Sequence, residues 1–177
     1  MGLKSLSALE AIAARRSVRK YTAETVTEEQ LGAVLDAALR APTANAKRPW
    51  WIIVVRDAVK REALSQVSKW AFFCAQAPVV LAVCGDDRAS QWWMDDCAAL
   101  TENALVAAAA IGLGTCWVGI HDAQSDGRDR EEYVRGVLGI PEEVRVLGLV
   151  ALGHPAEQKA PHDRETVWGE YVKYEQW

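Results

Sequence analysis

The stretch ENALVAAAAIGLGTCWVG, residues 102–119, says more about the fold than any other part of the chain. The spacing predicts a long helix over 92–110. From Ala98 to Ile111 it is rich in alanine and almost apolar all round, so no face is suited to water. Such a helix is buried on every side, either in a core or between subunits. Its apolar run is too short, and too polar at its start, to span a bilayer. Asp95 and Asp96 fall in the first turn, where carboxylates suit the positive end of the helix dipole. Gly112 and Gly114 end the helix and turn the chain. GTCWVG (114–119) then reads as a strand or tight extended segment. Glycines at 112, 114 and 119 lack the spacing of the dinucleotide fingerprint, and there is no Walker loop.

Outward from this stretch, helices and strands are mixed. WWIIVV (50–55), PVVLAVCG (78–85) and VRVLGLVALG (144–153) read as strands, and the second is apolar on both faces, as in a covered sheet. A helix over 6–15 carries Leu6, Leu9, Ile12 and Ala13 on one face. TEEQ (27–30) is a capping box, and the helix behind it stops at Ala41-Pro42. Residues 58–69 and 129–138 are also helical, the latter ending at LGIP. The tail, HDRETVWGEYVKYEQW, is polar with aromatics spaced through it and has no clear partner within the chain. No repeat or low-complexity linker divides the sequence, so residues 1–177 are expected to form one domain. The class is an α+β or α/β sandwich.

Composition narrows the function. Half of the 177 residues are hydrophobic and a quarter are charged, which marks a soluble globular chain. A net charge of −4 argues against a general nucleic-acid binder. The N-terminus lacks the continuous apolar core of a signal peptide. Cys74, Cys84, Cys97 and Cys116 show no metal spacing and are expected to be reduced, buried and cytoplasmic. His121, His154 and His162 do not pair at ligand spacing, so no metal site is expected.

Against that acidic balance stands ARRSVRKY (14–21), with Arg15, Arg16, Arg19 and Lys20 within six positions. Cations at a helix C-terminus gain from its dipole, so the cluster has a purely structural reading. Its functional reading is a phosphate site, because a guanidinium fork fits phosphate oxygens two at a time and Ser17 adds a hydroxyl. A second stretch, RAPTANAKRPWW (40–51), is either a plain connection or a small polar loop lining a pocket.

Four elements in order resemble the nitroreductase family of FMN-dependent oxidoreductases, in its compact form. They are RRSVRKY, RAPTANAKRPW, ENALVAAAAIGLGTCWVG, and VLGLVALGHP with DRETVWGEYVKYEQW behind it, together covering nearly the whole chain. The resemblance implies an α+β fold: a central, mainly antiparallel sheet flanked by helices, in an intertwined homodimer with FMN at the interface. It implies transfer of two electrons from NADH or NADPH to a small acceptor, a nitroaromatic or quinone, in a ping-pong scheme. By position, Arg15, Arg16, Ser17 and Arg19 would hold the flavin phosphate, ribityl chain and pyrimidine edge. Pro42, Thr43 and Ala44 would contact the flavin of the neighbouring subunit. Trp117, Val118 and Gly119 would lie under the ring, a backbone N–H among them facing its N5, and Arg164 would close on the phosphate. No side chain is singled out as catalytic, since the chemistry belongs to the cofactor.

The chain departs from the family pattern in two places. The loop asparagine, Asn45, comes one place early, and Arg48 stands where glutamine is usual. Lys47 and Arg48 thereby add positive charge, which hints at an anionic substrate. The late Lys-x-Arg is altered too: His162 precedes Arg164, and the nearest lysine is Lys159. Same-fold relatives that fragment flavin or remove halogen are an alternative, though they usually carry lid segments for which 177 residues leave little room. A non-catalytic dimer that binds an anion or partner is another.

Overall fold

The computed structural model describes residues 3–162 and 171–177. Its centre is a four-stranded antiparallel sheet of β1 (Trp50–Val55), β2 (Val79–Gly85), β3 (Gly114–Gly119) and β6 (Arg145–Gly153), in the order β1-β2-β6-β3. Helices α1 (Ala8–Ala14), α2 (Glu28–Leu39) and α5 (Trp93–Ala110) gather along one side, and α3 (Ala58–Ser65), α4 (Phe73–Gln76) and α6 (Arg130–Leu138) along the other. All seven residues of β2 are buried, as its apolar run requires. Val79, Leu81 and Val83 face α2 and α5, while Val80, Ala82 and Cys84 face the second core. A bulge in β6 opposite Val83 and Cys84 leaves Leu147 outside the pairing and shifts the alternation, so that Val146 joins the second core.

Local signals place most boundaries. Thr27 and Gln30 form the expected capping box. Gly139 closes α6 in the left-handed conformation, at φ 68°. α3 is shorter than predicted: after Ser65 the Gln66 and Val67 amides bond to Ala63 and Leu64, three residues back, and the helix tightens out. A small hairpin of β4 (Gln124–Ser125) and β5 (Arg128–Asp129) was not expected. Its turn is Asp126-Gly127, both at positive φ, the pairing that type I′ turns favour.

Two helices depart from expectation in the same sense. The apolar side of α1 does not enter this chain's core: Leu9 is 79% and Ile12 56% exposed, and Ala11 is the one residue of the helix fully buried. α5 buries Trp93, Cys97, Leu100, Ala104 and Ala108, but its opposite face is only partly covered and Met94 is exposed. Both therefore present apolar surface that one chain alone does not cover.

One polar cluster sits at the edge of the second core. Glu131, buried at the start of α6, accepts from Arg145 through both oxygens (2.9 and 3.0 Å) and from the Val146 amide (2.8 Å), and lies 3.3 Å from His121 Nδ1. Arg145 also donates to Asp87 at 2.8 Å. Burial pushes the Glu131 carboxyl up, but the Arg145 fork, the Val146 amide and His121 outweigh it and hold the group below its ordinary value. A depressed carboxylate stabilises the fold above its unfolded pKa, and that contribution is lost as pH falls through the folded value. Glu131→Gln is accordingly expected to destabilise by about 3 kcal/mol at neutral pH, since it leaves Arg145 short of a partner. Urea unfolding at pH 7 and near pH 3.5 checks this, with the penalty shrinking at the lower pH.

Candidate functional site

The arginine segment leaves α1 at Arg15 and runs along the open edge of β3. The Val18 amide donates to the Thr115 carbonyl at 2.8 Å, and Ser17 and Thr115 form a parallel bridge. Gly114 permits the approach: a Cβ there would lie 2.8 Å from Val18 Cγ1. The chain after β6 closes the other side. Tyr21 bridges Pro155, the Ala156 amide donates to the Lys20 carbonyl at 2.8 Å, and the Arg19 amide donates to the Glu157 carboxylate at 2.6 Å. The Lys159 ammonium donates to the Ser17 carbonyl. The Tyr21 hydroxyl, whose pKa burial raises, donates to the Val18 carbonyl at 2.7 Å.

Two cavities flank this seam. The first, about 310 Å³, is lined by Arg15, Arg16, Gly112, Thr115, Glu157 and Lys159 among others. The C-terminal end of α5 borders it, so the helix dipole opposes an anion here and positive charge comes from side chains alone. Arg15 lies 4.0 Å from Glu102, at the limit of an ion pair.

The second cavity, about 460 Å³, continues along β3, with Arg19, Trp70, Phe72, Trp117, Gly119 and Arg130 in its wall. Alternation along the edge strand gives it polar groups. The Ile120 amide turns inward to Leu147, whereas the Thr115 carbonyl faces outward to Val18. By the two-residue period, Trp117 and Gly119 also face outward. The Gly119 carbonyl accepts from Arg130 Nη1 at 3.0 Å on that side. The Trp117 ring covers Gly148 on the neighbouring strand, at a contact no side chain there would allow. Val118 is buried beneath. Burial raises the Cys116 thiol pKa more than Arg19, Ser17 and nearby cations lower it, so the group is a protonated thiol at neutral pH.

Pro42, Thr43 and Ala44 lie elsewhere. The Ala44 amide donates to Asp96 Oδ1 at 2.8 Å, and Ser90 donates to Asp96 Oδ2 at 3.2 Å. This ties the loop to the first turn of α5. The chain tightens there, with Asn45, Ala46 and Arg48 at positive φ and the Arg48 amide donating to Thr43 Oγ1 at 3.2 Å. From Asp96 to Ala109, which lines the first cavity, is thirteen residues, about 20 Å along a helix. Within one chain this loop and the arginine segment are at opposite ends of α5. Arg164 lies outside the described residues. Thus Arg15, Arg16, Ser17, Arg19, Trp117, Val118 and Gly119 come together, joined by Lys159 and Arg130. Asp96, expected only to suit the helix dipole, instead anchors the loop through a buried carboxylate.

The chain is similar to known proteins over nearly its whole length. The family model described as Nitroreductase family matches residues 12–73 and 65–154. A protein of Methanothermobacter thermautotrophicus, named provisionally as an NADH dehydrogenase/NAD(P)H nitroreductase, is 35% identical over 178 residues, covering 99% of this chain and 90% of that protein. The NADH dehydrogenase of Thermus thermophilus is 33% identical, covering 94% and 98%. Among solved structures, an FMN-dependent nitroreductase from Clostridium difficile superposes with a TM-score of 0.91 at 28% identity, covering 96% of this chain and 99% of that one.

The Gly114 contact generates a direct test. Gly114→Ala forces Val18 away from β3 and is expected to cost about 1–3 kcal/mol, as overpacking does. Hydrogen exchange at the Val18 amide should speed up in that variant. Gly119→Ala, where nothing lies within 4 Å of the added Cβ, should leave Val18 protected.

Proposed function

The chain belongs to the nitroreductase family, and on that premise we propose that it is an FMN-dependent oxidoreductase carrying two electrons from NADH or NADPH to a small acceptor such as a nitroaromatic or quinone. One observation carries the reading. A cavity with Arg15, Arg16 and Lys159 in its wall adjoins, along the open edge of β3, a partly apolar cavity with outward backbone groups and Arg19. That is the donor set a phosphate joined to a flat, hydrogen-bonding ring demands. FMN supplies hydride chemistry when bound, and the protein positions and tunes it.

The roles follow from the chemistry of each group. Arg15, Arg16 and Lys159 would neutralise the phosphate, with Arg164 as a further cation and Ser17 donating its hydroxyl. Arg19 would stand at the polar edge of the ring, where a cation stabilises negative charge that develops on reduction. Trp117, Val118 and Gly119 would lie beneath the ring, and an outward amide of Trp117 or Gly119 would donate to it. Pro42, Thr43 and Ala44 would reach the cofactor of a second copy. The ~20 Å between their anchor and the cationic cavity, and the exposed apolar side of α1, support a homodimer with the cofactor at its interface. Donor and acceptor would then use the same place in turn, as a ping-pong scheme requires. Both cores share one sheet, which supports residues 1–177 as a single domain. Four buried free thiols suit a reducing cytoplasm, and no helix among the described residues is long and apolar enough to cross a membrane.

The visible spectrum tests the reading. The protein supplied with FMN is expected to retain flavin bands that bleach on NADH or NADPH. Arg16→Ala and Lys159→Ala should each weaken FMN binding by about tenfold or more, the scale of a charge-assisted hydrogen bond. Retention of FMN by both variants at the original affinity would remove the phosphate assignment. A protein that stays colourless after reconstitution would leave an anion-binding dimer as the better reading.

A further inference from the structure

The proposed function leaves part of the second cavity without a role. Trp70 is 68% exposed and Phe72 is half-exposed, yet both line it. Large aromatics held open in this way mark a surface that a flat apolar ligand would cover. The charges are one-sided. Arg19 and Arg130 stand in the wall and Lys69 lies 5.1 Å above the Trp70 ring, while no carboxylate lines the cavity among the described residues. This occurs in a chain whose net charge is −4.

Arg130 is the group without an explanation. It is the first residue of α6, where the helix dipole disfavours a cation. Its side chain turns back and is fixed by two hydrogen bonds, Nε to Ser125 Oγ at 2.8 Å and Nη1 to the Gly119 carbonyl at 3.0 Å. Nη2 donates to nothing among the described residues, and no carboxylate pairs with the guanidinium there. The cations assigned to the phosphate gather at the Thr115 end of β3. Arg130 stands at the Gly119 end, four residues or about 13 Å along the strand. Lys47 and Arg48, which first hinted at an anionic substrate, are not among the residues lining this cavity.

We infer that the acceptor is an aromatic or quinonoid ring bearing an acidic group, and that Arg130 is the residue that selects for that group. The inference rests on the proposed flavin reading and names the substrate class of the same site. The ring would pack against Trp70 and Phe72, and its carboxylate would take the fork of a guanidinium already held in place, so little side-chain freedom is lost on binding. With a nitro acceptor the balance is NAD(P)H + H⁺ + R–NO₂ → NAD(P)⁺ + R–NO + H₂O, where R carries the carboxylate and is otherwise unchanged.

The test compares two acceptors of one shape, 4-nitrobenzoate and 4-nitrobenzamide, on the FMN-loaded protein. The ratio of their kcat/KM values is expected to favour the benzoate by about tenfold or more, the scale of one charge-assisted hydrogen bond. Arg130→Met should collapse that ratio toward one, and Arg130→Lys should retain part of it. A ratio cancels general losses from altered folding. Calorimetric titration with benzoate and benzamide, without NAD(P)H, gives a readout free of turnover, and benzoate should bind the wild type more tightly but not Arg130→Met. Flavin present, both acceptors reduced and a ratio near one, or a ratio untouched in Arg130→Met, would overturn the inference and leave the flavin reading standing. Absence of bound flavin after reconstitution would overturn both.

Discussion

The hydrogen bond from the Val18 amide to the Thr115 carbonyl lays a cationic segment along an edge strand, and the site is organised around it. One such bond contributes about 1 kcal/mol net, but it fixes the direction of every residue beside it. Arg15 and Arg16 fall to one cavity and Arg19 to the next because the backbone between them is pinned. An edge strand offers unpaired groups along its whole length. Here part of that edge is covered by residues 15–21, which are themselves held from outside by 154–159. The positions of the cations are thus set by backbone pairing and by the absence of a Cβ at Gly114, with side-chain rotamers adjusting afterwards.

α5 imposes the second constraint. It is long and alanine-rich, and it holds the arginine segment near its last turn and the Pro42–Ala44 loop near its first. A helix cannot fold back on itself, so one chain cannot bring the two to one ligand. Under the proposed reading a second copy supplies the missing half. The exposed apolar side of α1, the half-covered face of α5 and the exposed Tyr171, Tyr174 and Trp177 of the tail are the surfaces such a copy would use.

How much of this is legible in the sequence depends on the range of the interaction. The sheet is legible because β2 is apolar at every position and β1 and β6 nearly so, and because caps such as Thr27–Gln30 are local. The Asp126-Gly127 hairpin is local too, its signal being the Asp-Gly pair at the turn. α1 misleads because an amphipathic pattern says that one face is buried, not which molecule buries it. Arg15 to Arg19 stand out because they are consecutive. Lys159, Asp96 and Arg130 do not, because each acts across 142, 52 or 11 positions of chain that only folding brings together. Asp96 is instructive, since its place in a first turn explains it fully until the buried Ala44 amide and Ser90 hydroxyl are seen.

The arginines divide by what already satisfies them. Arg145 is held by Glu131 and Asp87, and Arg61 donates to the carbonyls of Ala75 and Ala77 at 2.8 and 2.6 Å, capping a short helix. Both have structural roles: the charge of Arg145 is paired inside the chain, and Nε and Nη1 of Arg61 are spent on backbone carbonyls. Arg16, Arg19 and Arg130 have no carboxylate partner among the described residues, and all three line cavities. In an acidic protein, cations left unpaired at a concave surface suit an anion from elsewhere. Under the proposed reading Arg16 serves the phosphate and Arg19 the ring edge, which leaves Arg130 without an assigned anion. The anion inferred for the Gly119 end of β3 is the acidic group carried on the acceptor.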